Sequence, residues 1–548
     1  MNRPLFYIGS AYLWTLLLLS LTGKVFAVGL LLFAASCGIL ELVFFFRKKK
    51  VGIVPAVCLS CALACTAFLL KTQYALEPAL ALAGSKQKVE GTVREVLSDS
   101  PSGAHRCMVD WDGKTVRLSS KTYVPQCGDF ISFTAKIYEL GEDNPDLKRY
   151  YRSTGTYIGA VTYEKITPVT GQEERATFLA QEKLRESIDT LRTYLTDGVF
   201  LALPEEVAGV LNGMLLGDKT GMGETQQEWF RKAGILHLFA VSGFHTSLWA
   251  MLVYRSCLRA GMPKRGALFL SMAFVLFFMA LTGFSKSGIR AGLMLLLFFL
   301  GKWMKRPVDS LNSLGFAALV LCLGNPFAGG DTGLLLSYFA TLGILSIYPI
   351  LRKKLLAEQK KTVAEQEQPF AEQEKPIVRQ KKQNIPFWKR AALLLALSAS
   401  TFVFTLPISM LSFGAVSLVS PLSNLLVTGL SSVAILFGGM GAVFHGIPLL
   451  KLFSPWCFLI AGGIVKGITL LCRKIAALPF CYMGIDSPSL QLAVAGTLVL
   501  TAVSLVLFYS VPKERRVSAL AKGSLPRLTC LLCCILLLGA ALSYDLLK

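Results

Sequence analysis

His237-Leu-Phe-Ala-Val-Ser-Gly-Phe-His245 places two imidazoles, a hydroxyl and a glycine within nine residues. The stretch opens an apolar run of membrane-spanning length that ends near Tyr254. Ionisable side chains in a bilayer are costly and are kept for a task. At helical spacing His237, Val241 and His245 share one face, with Ser242 three residues before His245. Three kinds of chemistry fit. Ser242 and His245 could be a nucleophile and its base, which would make the chain an intramembrane hydrolase. The two histidines could hold a metal, but the third His or carboxylate such a site usually needs is missing nearby. Or the polar groups line a wet path, and Gly243 then marks a break or a close backbone approach. The path is preferred, so no catalytic residue, metal or cofactor is assigned.

Other polar residues punctuate apolar sequence. Asp218 and Lys219 are either solvated neighbours or an ion-pair gate beside a pore. Arg290 follows Thr282-Gly-Phe-Ser-Lys-Ser-Gly288 and precedes an apolar run at 292–303. That run falls short of the ~20 residues a crossing helix needs, so a tilted, broken or re-entrant element is expected. Arg290 itself would snorkel from a helix end or meet a phosphate. Asp331 suits the N-cap of a following helix. Pro407, Gly414, Pro421, Gly429 and Gly438-Gly439 interrupt 407–446. Broken helices at membrane depth mark transport paths, whereas glycines alone also serve close helix packing.

The elements that must position these groups are mostly transmembrane. The chain has 548 residues, 53% of them hydrophobic, and a mean hydropathy of +0.55. Apolar runs at 16–46, 51–70, 267–284, 391–410, 490–509 and 528–542 define a polytopic α-helical membrane protein. The net charge of +22 is assigned mainly to cytoplasmic loops, because Arg47-Lys-Lys-Lys50 and Lys513-Glu-Arg-Arg516 flank apolar runs. Most of the 14 cysteines lie in such runs and read as small hydrophobes. The N-terminus reads as a retained helix, not a cleaved signal. Spans at 5–22, 25–46 and 51–70, with Arg47–Lys50 inside, put the N-terminus in the cytoplasm and residues 71–200 outside. A multi-pass protein of the cytoplasmic membrane is expected.

Residues 71–170 alternate like a small β-domain. Val89-Glu-Gly-Thr-Val-Arg-Glu-Val96 is one strand, Asp112-Gly113 is a hairpin turn between two more, and Phe130–Ile137 and 157–163 complete five. Five short strands suit an inserted extracellular OB-like barrel. Cys107 and Cys127 fall at strand ends in an oxidising location, where a disulfide is plausible. Residues 171–234 are amphipathic or mixed helical sequence. Residues 351–390 are a charged, disordered connector with Ala-Glu-Gln repeated at 357, 364 and 371. The remaining segments are 1–70, 235–350, 391–480 and 481–548.

Gly234-Ile-Leu-His-Leu-Phe-Ala-Val-Ser-Gly-Phe-His245 resembles the signature of the ComEC family of competence proteins. Supporting stretches follow in the family order. They are Asn144-Pro145 with Arg149-Tyr-Tyr-Arg-Ser-Thr-Gly155, Leu215-Leu-Gly-Asp218, Thr282-Gly283 with Arg290-Ala291, Gly333-Leu-Leu-Leu-Ser-Tyr-Phe-Ala340, and Pro407 through Phe413-Gly414 to Pro421-Leu-Ser-Asn424. The resemblance spans about 86–430 and implies an inner-membrane channel that passes single-stranded transforming DNA inward. It makes 235–350 and 391–480 two parts of one channel domain. It adds Ser337 and Asn424 to the path candidates His237, Ser242, Gly243, His245, Asp218, Arg290 and Asp331. Lys148, Arg149, Tyr150 and Arg152 are the best local candidates for holding a single strand, with packing on the barrel or the bilayer surface as the structural alternative. Against a broad basic groove, residues 86–165 carry 12 Lys/Arg and 11 Asp/Glu. Implied partners are single-stranded DNA, the lipid bilayer, a DNA receptor outside and a cytoplasmic motor or single-strand-binding protein; a homo-oligomer is left open. Many family members also carry a metallo-β-lactamase-like domain with a His-x-His-x-Asp-His motif. These 548 residues have four histidines and no such motif, so strand degradation is expected to come from elsewhere. A small-solute transporter is the remaining alternative.

Overall fold

The computed structural model describes residues 3–24, 26–32, 54–97, 104–125, 128–162, 166–168, 175–219, 221–239, 243–353, 355–356, 386–479 and 481–484. Most of the expected second span, the 351–390 connector, the runs at 490–509 and 528–542, Ser242 and Cys127 lie outside those residues. Among the described residues, seven helices are long and apolar enough to cross a membrane, from Pro4–Thr22 to Lys451–Ala476. The polytopic helical class is thereby borne out. The chain divides into two compact units, one of Met1–Tyr194 with Thr246–Leu335 and one of Leu195–His245 with Leu336–Lys548.

The first unit opens with α1 (Pro4–Thr22) and α2 (Val54–Lys71), the latter running on through a π-turn at Thr72–Leu76. Strands β1 (Lys86–Leu97), β2 (His105–Trp111), β3 (Lys114–Ser120) and β4 (Phe130–Glu139) follow. Helix α3 (Pro145–Thr154), β5 (Ile158–Thr162) and the short β6 (Thr167–Pro168) complete the β-domain. Pairing runs β1-β2-β3-β5-β4 and returns from β4 to β1, a closed five-stranded barrel with β6 appended to β4. All pairs are antiparallel except β3 with β5. Alternation builds the core: Val89, Val93, Val109, Val116, Ile131, Ile137 and Ile158 are fully buried, as period-two strands with one inward face require. The β2–β3 hairpin turns where expected. Trp111 pairs with Lys114, and Asp112 and Gly113 take φ of 48° and 68°, the left-handed pair that a two-residue turn needs.

Helices α4 (Arg175–Ala202), α5 (Glu205–Leu216) and α6 (Glu224–Lys232) come next, and α7 (Gly243–Arg259) leads back into the first unit. There α8 (Lys264–Leu281), α9 (Lys286–Trp303) and α10 (Ser310–Gly324) pack with α7 and α1. Ala250, Leu268, Val275, Met279 and Phe299 form one buried cluster. Arg3 pairs with Asp309 at 3.0 Å, and Asn312 Oδ1 accepts from the Phe6 amide at 3.2 Å. A 3₁₀ turn (Pro326–Gly330) precedes α11 (Thr332–Ser346).

The second unit holds α5, α6, α12 (Phe387–Phe413), β7 (Ala415–Ser417), α13 (Ser420–His445), α14 (Ser454–Ala476) and β8 (Tyr482–Gly484), with β7 and β8 antiparallel.

Two expectations need correction. The apolar run at 292–303 is not a short element. The Ser285 side chain accepts from the Gly288 amide at 3.2 Å and caps a helix that begins at Lys286. Eighteen residues at 1.5 Å each reach about 27 Å, so α9 is nearly bilayer-long. The 407–446 region is broken once. Gly414 ends α12 in the left-handed conformation, with φ of 61°. Helix α13 then runs unbroken through Gly429 and Gly438. Gly438 serves packing, since a Cβ there would come within 2.8 Å of the Leu211 side chain.

Candidate functional site

Helix α3 carries the four residues nominated for DNA. Glu139, in β4, draws two of them back: Lys148 Nζ lies 2.9 Å and Arg152 Nη2 3.0 Å from its Oε1. The stem of Arg149 lies beside Gly330. Tyr150 is 53% exposed. Its neighbour Tyr151 accepts a hydrogen bond from Arg117, whose guanidinium also lies 5.3 Å from the tyrosine ring centroid. Burial, then Arg106 nearby, lowers the Arg117 pKa. Burial pushes the Tyr157 phenol up to about 12.

The C-terminal end of α3 is fastened to membrane helices. Asn325 Nδ2 donates to the Arg152 carbonyl at 3.0 Å and the Ser153 carbonyl at 2.9 Å, satisfying helix-end acceptors. Lys286 Nζ lies 2.9 Å from Asp331 Oδ2 and 2.5 Å from Ser153 Oγ, and Ser153 Oγ lies 3.1 Å from Asp331 Oδ2. Asp331 Oδ1 accepts from the Leu334 amide at 2.8 Å, so the expected N-cap forms. A serine beside a lysine can act as nucleophile and base only if the amine is neutral. Here the ammonium faces a carboxylate that is 6% exposed. The group is an ion pair with a hydroxyl in it, a tether rather than a catalytic dyad. Lys286 and Ser153 both fall in the stretches that carry the family resemblance, but nothing local joins them.

Arg290 does not snorkel. It is 6% exposed within α9, with Nη1 3.7 Å from Met294 Sδ. An arginine at the end of a twelve-residue run became one inside an eighteen-residue helix.

In the second unit, His237 sits in a 3₁₀ turn, Leu236–Phe239, and α7 is described from Gly243 to Arg259. Val241 lies outside the described residues. Upstream, Gly234 adopts φ of 73° and turns the chain after α6. Ser417 Oγ donates to the Lys232 carbonyl at 2.8 Å, and Ser420 Oγ to that of Gly234 at 3.1 Å. The histidine turn is thus stitched to β7 and the start of α13. His245 is fully buried, with the Phe244 ring edge-on at 6.0 Å. Asp218 and Lys219 are half-buried in the turn after α5, where burial lowers the Lys219 pKa. Ser337 lies on α11, half-buried.

Buried polar groups recur on α13 and α5. Ser423 and Ser431 are fully buried and bond back to helix carbonyls at 3.1 and 3.0 Å. Asn424 Nδ2 lies 3.5 Å from Ser420 Oγ, and its Oδ1 has no partner among the described residues. Asn212 is 2% exposed, and neither amide atom has a partner among the described residues. A buried amide left unmet costs about 1–3 kcal/mol unless water or a ligand meets it. Asn212 has no prominence in the sequence, because an asparagine inside Val-Leu-Asn-Gly-Met looks like any other helix residue.

A closed five-stranded barrel joined to a bundle of membrane-length helices defines a polytopic membrane protein with an inserted small β-domain. The competence protein family profile matches residues 214–509, just over half of the chain, and the chain belongs to that family. It is similar to ComE operon protein 3 of Bacillus subtilis (strain 168), at 25% identity over 164 residues. That match covers 30% of this chain and only 21% of the relative. No solved structure matches the chain.

Proposed function

We propose that the chain takes part in DNA uptake during natural competence, as an inner-membrane channel that passes single-stranded DNA into the cytoplasm. The observation that carries this is the competence family match over 214–509, laid on a helical unit whose interior holds Asn212, His245, Ser423, Asn424 and Ser431. A conduit for a polyanion needs a hydrated path with weak, replaceable contacts. Small and polar side chains on α5 and α13 supply that chemistry. His237, Ser242, Gly243, Asp218, Arg290, Asp331 and Ser337 remain path candidates beside them.

The N-terminus is cytoplasmic and residues 71–200 are outside, with 235–350 and 391–480 forming the channel domain. Cys107, buried on β2, pairs with Cys127 in that oxidising location. Lys148, Arg149, Tyr150 and Arg152 approach the incoming strand, which an outer receptor delivers and a cytoplasmic motor or single-strand-binding protein draws in.

The test is entry of labelled double-stranded DNA into the cytoplasm of a deletion strain complemented with wild type, His245→Ala or Asn424→Ala at matched membrane levels. Loss of the cytoplasmic signal in the deletion and in at least one variant, with surface binding intact, is expected. Normal uptake in the deletion strain would overturn the channel.

A further inference from the structure

Helix α14 is long and apolar enough to cross a bilayer, and Trp456, Leu459 and Leu470 on it are 66%, 65% and 55% exposed. Residues 456, 459, 463, 466, 470 and 473 fall on one face at helical spacing. Large apolar groups left open on a membrane-length helix face lipid. Lys466 and Arg473 are exposed on the same face, and Arg473 lies in the last turn of the helix. Arg473 thus lies where the span ends, at the depth of lipid headgroups, and Lys466, two turns before it, reaches toward that level along its own stem.

A cleft of about 490 Å³ opens there, within the second unit. Its lining includes Glu205, Glu206, Gln226, Trp229, Lys466 and Arg473. The Arg473 guanidinium lies 5.4 Å from the Trp229 ring centroid. Gln226 is 8% exposed. Its Nε2 lies 3.5 Å from the Glu206 carbonyl, and its buried Oε1 has no hydrogen-bond partner among the described residues. The cleft thus offers acceptors and negative charge together with cations, and among the described residues no ion pair joins the two sets.

A simple anion would meet two carboxylates and a simple cation two basic groups, so neither suits the whole cleft. A zwitterion with N–H donors at one end and a phosphate at the other matches both. We propose that the cleft holds the phosphoethanolamine headgroup of a membrane lipid, the ammonium at Glu205, Glu206 and Gln226 Oε1 and the phosphate at Lys466 and Arg473. A choline headgroup has no N–H for Gln226, and a glycerol headgroup has no cation for the glutamates. Single-stranded DNA is disfavoured: Arg473 already covers Trp229, and the carboxylates oppose a phosphate chain. The assignment goes beyond the channel function and does not depend on it.

The test is native mass spectrometry of the full-length protein in detergent with ethanolamine, choline and glycerol phospholipids of matched acyl chains. Loss of a charge-assisted contact corresponds to about tenfold in affinity. The ethanolamine lipid should be retained about tenfold over the others. The pair Glu205→Gln/Glu206→Gln should bring it down to the choline level, and Lys466→Ala/Arg473→Ala should weaken all three lipids. Gln226→Leu adds the same loss of preference where it folds; the glutamate pair, on exposed positions, carries the test where it does not. Equal or tighter retention of the glycerol lipid would reduce the site to a basic patch and overturn the proposal. So would an ethanolamine preference that survives the glutamate pair. Soluble phosphoethanolamine binding as tightly as the lipid would make it a site for a soluble ligand. An oligothymidylate that displaces the lipid from wild type would make it a nucleic-acid site.

Discussion

Lys286, Asp331 and Ser153 show how much a single site can hold. Asp331→Ala leaves a lysine beside a hydroxyl with no counter-charge and also removes the cap of α11. Breaking a buried pair from one side costs about 3–5 kcal/mol. The double change Lys286→Met/Asp331→Ala should cost clearly less than the sum of the single changes. Unfolding titrations in mixed micelles would decide it, and strict additivity would dissolve the tether. Asn212→Leu asks a different question. Replacing an unmet amide with an apolar group should leave stability unchanged or slightly raised, yet DNA entry should fall about tenfold if Asn212 meets water on the path. Uptake at the wild-type level would return Asn212 to a purely structural role. At this scale the sequence was legible only where the partner is near. The Asp331 cap reaches three residues along the chain. Its lysine lies 45 residues back and its serine 178, beyond any local pattern.

Among the elements, the barrel was the most legible, because strand alternation and the Asp112-Gly113 turn are local signals. Gly113→Ala forces a side chain into a left-handed conformation, at a cost of about 1–2 kcal/mol, and should lower the thermal midpoint seen by circular dichroism without loss of the fold. The parallel β3–β5 pair was not legible, since it joins strands separated by β4 and α3. The start of α9 was missed because a serine cap extends the helix through a lysine and an arginine that look like flanks. Helix α3 was nominated for DNA on composition, and its side chains divide in two. Arg152→Ala should lower thermal stability by releasing Glu139, whereas Tyr150→Ala should leave stability unchanged and weaken single-strand retention in gel-shift titrations. Equal stability losses from both would remove the distinction.

For the whole chain, charge around the first spans predicts which side the barrel faces. An epitope inserted between Asp112 and Gly113, a turn whose residues both lie outside the ladder, should be reached by antibody on intact spheroplasts. Signal only after lysis would invert the topology. The fold class was legible because bilayer-length apolar runs need no tertiary context. The division into two units was not, since each is assembled from separated stretches of chain.

That separation sets a clock. Arg3 precedes its partner Asp309 by 306 residues. At about 5–20 residues per second, a ribosome needs roughly 15–60 s to deliver the second after the first. For that interval α1 sits in the bilayer without the helix it will finally pack against, and the end of α3, once made, waits for both Lys286 and Asp331. The early helices are thus obliged to wait, and a pause in translation near residue 280 would lengthen the wait without altering a single contact of the finished protein.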